Sequence, residues 1–84
     1  MNIEIPQKTI DTYDELDESE LYIELLHSSK YGQYESFENC LKYIYKYKNN
    51  FDECIKWILP NTNEKCRNII YKILEQIEQI EISK

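Results

Sequence analysis

Three cysteines, one histidine and a run of carboxylates are the side chains of this sequence with the capacity for chemistry. Cys40, Cys54 and Cys66 stand fourteen and twelve residues apart. A zinc site needs thiolates about two to four residues apart, so that one turn aims both at the ion. That spacing is absent. An odd number of cysteines also argues against a disulfide framework. Each cysteine falls at an apolar position of its local pattern, where a reduced thiol packs as a small hydrophobe. A cysteine nucleophile would need a base beside it, and His27 is the only histidine. No set of nucleophile, base and oxyanion donors can be assembled, so the chain reads as a non-enzyme with neither metal nor cofactor.

The carboxylates are distributed unevenly. Residues 1–27 hold eight acids against Lys8 alone, a net −7, whereas residues 28–84 hold eight acids and nine bases, a net +1, which together give the overall −6. Asp11, Asp14, Glu15, Asp17, Glu18 and Glu20 fall within ten residues, and Glu24 follows one helical turn later. Acid–base catalysis requires carboxylates in a cleft, and a calcium loop requires a glycine at its bend. This run offers neither. Two readings remain: a solvated helix start that complements the helix dipole, and a docking surface for a protein with a basic surface. In the second, charge steers the encounter, and Tyr13 and Leu16 supply apolar anchors.

Eight tyrosines in 84 residues extend that question. Tyrosine suits interfaces because it is large, rigid and amphipathic. Tyr22, Tyr31, Tyr34 and Tyr43 are the candidate partner contacts, with half-buried core rims as the competing account. The abundance of isoleucine, lysine, asparagine and tyrosine is also what an AT-rich genome produces.

These residues need elements to position them. Ile10, Tyr13 and Leu16, three residues apart, predict a helical turn within residues 9–17. Asp17 with Glu20 is an acidic capping box opening a helix with Leu21, Tyr22, Leu25 and Leu26 in its stripe and Ile23 outside it. Gly32, the only glycine, suits a left-handed stop after that helix. Residues 42–48, KYIYKYK, alternate like a strand. In the longer window, however, Phe37, Cys40, Leu41, Ile44, Tyr47 and Phe51 follow the helical period. This predicts a second helix with Ile44 and Tyr47 inward, Lys42 and Lys46 outward, and Tyr43 and Tyr45 at its borders. Glu38 and Lys42 have i,i+4 spacing. Asn50 with Glu53 forms another capping box for a short third helix that Pro60 ends. The fourth and longest helix runs from about Glu64 to Ile80, with a seam of Cys66, Ile70, Ile73, Ile77 and Ile80. Ile3-Glu4-Ile5 and Ile80-Glu81-Ile82 alternate alike, which leaves a short strand pairing of the termini open.

The expected fold is therefore all-α: one small antiparallel bundle of about four helices over residues 1–84, with short extended termini. Residues 1–16 form an acidic segment on or beside it. Thirteen isoleucines, no alanine and no valine mean that large side chains must fill the core. No apolar run approaches the ~18 residues of a membrane span, and the N-terminus lacks the order of a secretion signal. The chain is expected to be cytoplasmic. Nucleic-acid binding needs several uncompensated basic groups, and the acidic third opposes it.

Residues 31–41, YGQYESFENCL, resemble the barstar family of ribonuclease inhibitors in a tyrosine and glycine ahead of an acidic, cysteine-containing helix. The acidic positions match only after a shift in phase, and that family's parallel sheet has no place in this pattern. No residue role is carried over. The functional expectation is a small acidic protein that binds and occludes a basic site on another protein, in the manner of antidotes, immunity proteins or phage counter-defence inhibitors. The alternative is a homodimeric regulatory or scaffold module joined through the fourth helix.

Overall fold

A computed structural model describes residues 3–82, and every regular element among them is helical. Helix α1 spans Gln7–Asp14, α2 Glu18–Lys30, α3 Tyr34–Tyr47, α4 Phe51–Ile58 and α5 Glu64–Ile82, with a 3-10 turn at Leu59–Asn61 between the last two. The small all-α bundle expected from periodicity forms with five helices in place of four. The addition is α1, which begins right after Pro6; the Pro6 carbonyl accepts the N–H groups of Thr9 and Ile10. It docks Tyr13 into the core, with Ile10 and Leu16 half-buried beside it.

Local chemistry sets the boundaries. The Glu20 N–H donates to Asp17 Oδ1 at 2.8 Å, and the Asp17 N–H donates to Glu20 Oε1 at 3.2 Å, so the capping box at the start of α2 is complete. At its other end Gly32 has φ +69°. The Gln33 N–H donates to the Ser28 carbonyl and the Gly32 N–H to the Ser29 carbonyl, the paired bonds of a Schellman stop. The turn folds α3 back on α2, and their contact is the most extensive in the bundle. Leu21 and Leu25 from α2 join Phe37, Cys40, Leu41 and Ile44 from α3 in the core; Cys54 and Ile58 of α4 and Cys66, Ile70 and Ile73 of α5 complete it. Asn63 caps α5 by accepting the Cys66 N–H at 2.9 Å. Its own side-chain amide donates to the Ser29 carbonyl, which ties that cap to the end of α2.

Leu26, expected in the apolar stripe of α2, is 38% exposed, and four expectations about the later helices need correction. Tyr43 lies buried in α3, whereas Tyr47 is 47% exposed, the reverse of the expected placement. Tyr47 is in phase with Cys40 and Tyr43, but it is the last residue of the helix. Helix α1 packs against α3 and covers Tyr43, leaving the Tyr47 ring against Tyr43 on one side and the Lys46 ammonium on the other. Second, Asn50 does not cap α4. Its backbone sits at φ −114°, ψ 25°, and its side-chain amide reaches across to α2, donating to Glu18 Oε1 and the Tyr22 hydroxyl. Third, the proline does not end α4 outright, because the chain continues through one tighter turn that contains Pro60. Fourth, residues 80–82 belong to α5, so they do not pair with the N-terminus as a strand. Ile3 is buried on its own account, and its carbonyl accepts from Lys46 Nζ.

The turn at Gly32 yields a direct test. A Cβ there would meet nothing closer than the Tyr34 ring at 3.8 Å, so the cost of Gly32→Ala is purely that of the left-handed backbone. Chemical denaturation should show a loss of about 1–2 kcal/mol with an unchanged m-value.

Candidate functional site: the acidic surface of α1 and α2

The carboxylates of α1 and α2 are held by neighbours while remaining at the surface. Asp11 accepts from Gln7 Nε2 at 3.0 Å, and Asp14 accepts the Tyr43 hydroxyl at 2.5 Å. Asp17 and Glu20 lock each other in the capping box, and Glu18 accepts from Asn50 at 2.5 Å. Glu24, half-buried, accepts the Ser28 hydroxyl at 3.2 Å. Glu15, in the turn between the helices, is exposed. None of these carboxylates pairs with a lysine, arginine or histidine among the described residues, whose one ion pair is Lys42 with Glu38 on α3 at 3.2 Å. The surface is therefore ordered but not neutralised.

The candidate tyrosines divide. Tyr31 is 61% exposed beside Gly32, with the His27 ring 4.6 Å away and Lys30 Nζ 5.5 Å above it. Tyr34 is half-buried, with Lys65 Nζ 5.6 Å from its ring centre. Tyr22 is half-buried and stacks on Trp57 at 5.0 Å. Tyr13 and Tyr43 are buried and meet edge to face at 5.5 Å, and the Tyr13 hydroxyl donates to the Ser36 carbonyl. Those two serve the interior. The most exposed apolar side chain of α2 is Ile23, at 64%, whereas Leu26 lines a separate groove with Ser29, Lys30, Asn61, Thr62 and Asn63. Ile23 points directly away from the buried row of Leu21, Leu25 and Ser28. Its position outside the apolar stripe was the sequence signal for this, and no structural role inside the fold competes for it.

Other candidate chemistry goes into the core. Cys40, Cys54 and Cys66 are fully buried, and Cys40 Sγ donates to the Leu21 carbonyl. Burial raises the Cys40 thiol far above its usual range and pushes Cys54 up to about 12, so neither is a ready thiolate at neutral pH. No group of three or more His, Cys, Asp or Glu side chains among the described residues is placed to hold a metal ion. None of the described helices is long and apolar enough to cross a membrane. On α5 the seam of Cys66, Ile70, Ile73 and Ile77 is buried within one chain, leaving Tyr71 and Ile82 as its exposed apolar residues. No family model, curated protein or solved structure matches this chain.

Two measurements check this geometry. Tyr43→Phe removes the bond that fastens α1 to α3 through Asp14, and should cost about 1.5 kcal/mol in chemical denaturation, the low end for a bond to an exposed carboxylate. The pH dependence follows from the protons held inside. Burial raises Tyr43 from 10.0 to about 12, helped by the Asp14 carboxylate, and raises Cys54 from 9.0 to about 12. Above pH 9–10 the unfolded chain releases protons that the native state retains. The contribution of these two groups to stability should therefore fall progressively from that window up to about pH 12, read as a lower denaturation midpoint at each higher pH.

Proposed function

We propose that this chain acts by binding a second protein through the surface carrying Asp11, Glu15, Asp17, Glu18 and Glu20, and so occludes a basic site on that partner. The supporting observation is that four of these carboxylates, all but Glu15, are fixed by hydrogen bonds while no cation among the described residues is paired with them. Ordered charge of one sign steers a complementary surface and loses little conformational freedom on contact. Ile23 adds exposed apolar area on α2 that desolvates at the contact. A nuclease or another nucleic-acid-handling machine is the natural class of target, because a site that grips phosphate must be basic. Antidotes, immunity proteins and phage counter-defence inhibitors work in this way, and the cytoplasm is where such a partner would be met.

The variant Asp11→Asn, Glu15→Gln, Asp17→Asn and Glu18→Gln removes four charges while keeping the acceptor oxygens, including that of the α2 cap. Affinity capture from the native host at low salt identifies the partner, and surface plasmon resonance compares the two forms. The expected outcome is a basic protein whose association slows by roughly ten-fold or more with the amide variant and whose binding weakens as salt rises. Equal affinity of both forms at low salt overturns the proposal.

A further inference from the structure

A groove of about 380 Å³ lies between α1, the middle of α2 and the start of α3, lined by Thr9, Thr12, Tyr13, Leu16, Glu24 and Ser36. Glu24 is its one charged residue. That carboxylate is half-buried, with the Ser28 hydroxyl as its hydrogen-bond partner and no cation beside it among the described residues. Its charge reaches the interior, since it contributes, after burial, to raising both the Tyr13 phenol and the Cys40 thiol. The Tyr13 proton is not offered to it, because that hydroxyl donates to the Ser36 carbonyl. A half-buried carboxylate without a counter-charge is placed to accept charge-assisted hydrogen bonds from a cation entering the groove.

The remaining lining narrows the ligand class. Leu16 gives an apolar wall for an aliphatic stem, and the threonine and serine oxygens add acceptors around the carboxylate. A guanidinium suits this better than an ammonium. It is more weakly hydrated, and its five donors in a planar fork can serve a carboxylate and a neighbouring hydroxyl together. We infer that the groove receives an arginine side chain of the partner protein, with its guanidinium on Glu24 and its methylenes along Leu16. This rests on the docking reading above and adds a specificity-determining subsite to it. Steering then comes from the exposed acids, and selection from Glu24.

The test uses small probes, so it does not depend on finding the partner. The intact protein is titrated with N-acetyl-arginine amide, N-acetyl-lysine amide and N-acetyl-norleucine amide while backbone amide shifts are followed by NMR. The expected result is saturable, millimolar binding of the arginine probe, with shifts centred on Thr12, Leu16, Glu24 and Ser36, weaker binding of the lysine probe, and none of the norleucine probe. Glu24→Gln keeps the acceptor for Ser28 and should weaken the arginine probe roughly ten-fold, while Glu15→Gln, equal in net charge, stays within about two-fold of the native protein. Shifts spread over the whole acidic surface, equal binding of the norleucine probe, or lysine binding as tight as arginine overturns the assignment. These wild-type titrations decide the matter even if Glu24→Gln does not fold. A failed titration beside a successful capture removes the subsite alone; saturation of the groove with no basic partner captured removes the docking role.

Discussion

A core without alanine or valine has few ways of letting two helices approach closely, and five small side chains carry that burden. Cys40, Cys54, Cys66, Ser28 and Ser29 are all buried. Cys40 sits against the Leu21 backbone of α2, and Cys66 occupies the first turn of α5 just beyond its cap. Ser28 and Ser29 end α2 where the chain reverses, and their carbonyls accept the bonds of the reversal. Around these points Phe37, Leu21, Leu25, Leu41 and several isoleucines fill the remaining volume. An added methylene at one of the small positions would force the helices apart, at about 1–3 kcal/mol. The cysteines thus act as spacers between packed helices.

The acidic surface inherits that order. Free carboxylates on a helix start would sample many rotamers, and fixing them on contact would cost entropy. Here other residues of the same chain have already fixed most of them. Asp14 is held by Tyr43 from α3, and Glu18 by Asn50 from the start of α4, so two charges in sequence-local runs are positioned by residues 29 and 32 positions away. The same bonds bind α1 and α2 to the bundle. Charge presentation and fold stability are therefore coupled at Asp14 and Glu18, while Glu15 presents charge without such a bond.

Periodicity and capping chemistry were enough to read the helical class, the Asp17–Glu20 start, the stop at Gly32 and the α5 seam, because each depends on residues within a turn or two of one another. The burial of three cysteines followed from their apolar phase. What was not legible depended on distant partners. Tyr43 is covered by α1, whose docking no local window contains, and Asn50 prefers Glu18 and Tyr22 on another helix to the cap its sequence context favours. The extent of α5 past Ile80 was obscured because a run of alternating isoleucines fits a strand as well as the end of a helix. Of the candidate site, the charges were visible in advance. The exposed partner to them, Ile23, was visible only as a residue out of phase.

The stack of Trp57 on Tyr22 has an optical consequence. The chain has a single tryptophan, its ring lies 5.0 Å from that of Tyr22, and the Tyr22 hydroxyl shares the Asn50 amide with Glu18. A carboxylate on the acidic surface is thus three contacts away from the dominant fluorophore. Whatever draws Glu18 outward disturbs the amide that holds the stack, and the emission of one indole reports on it without a label.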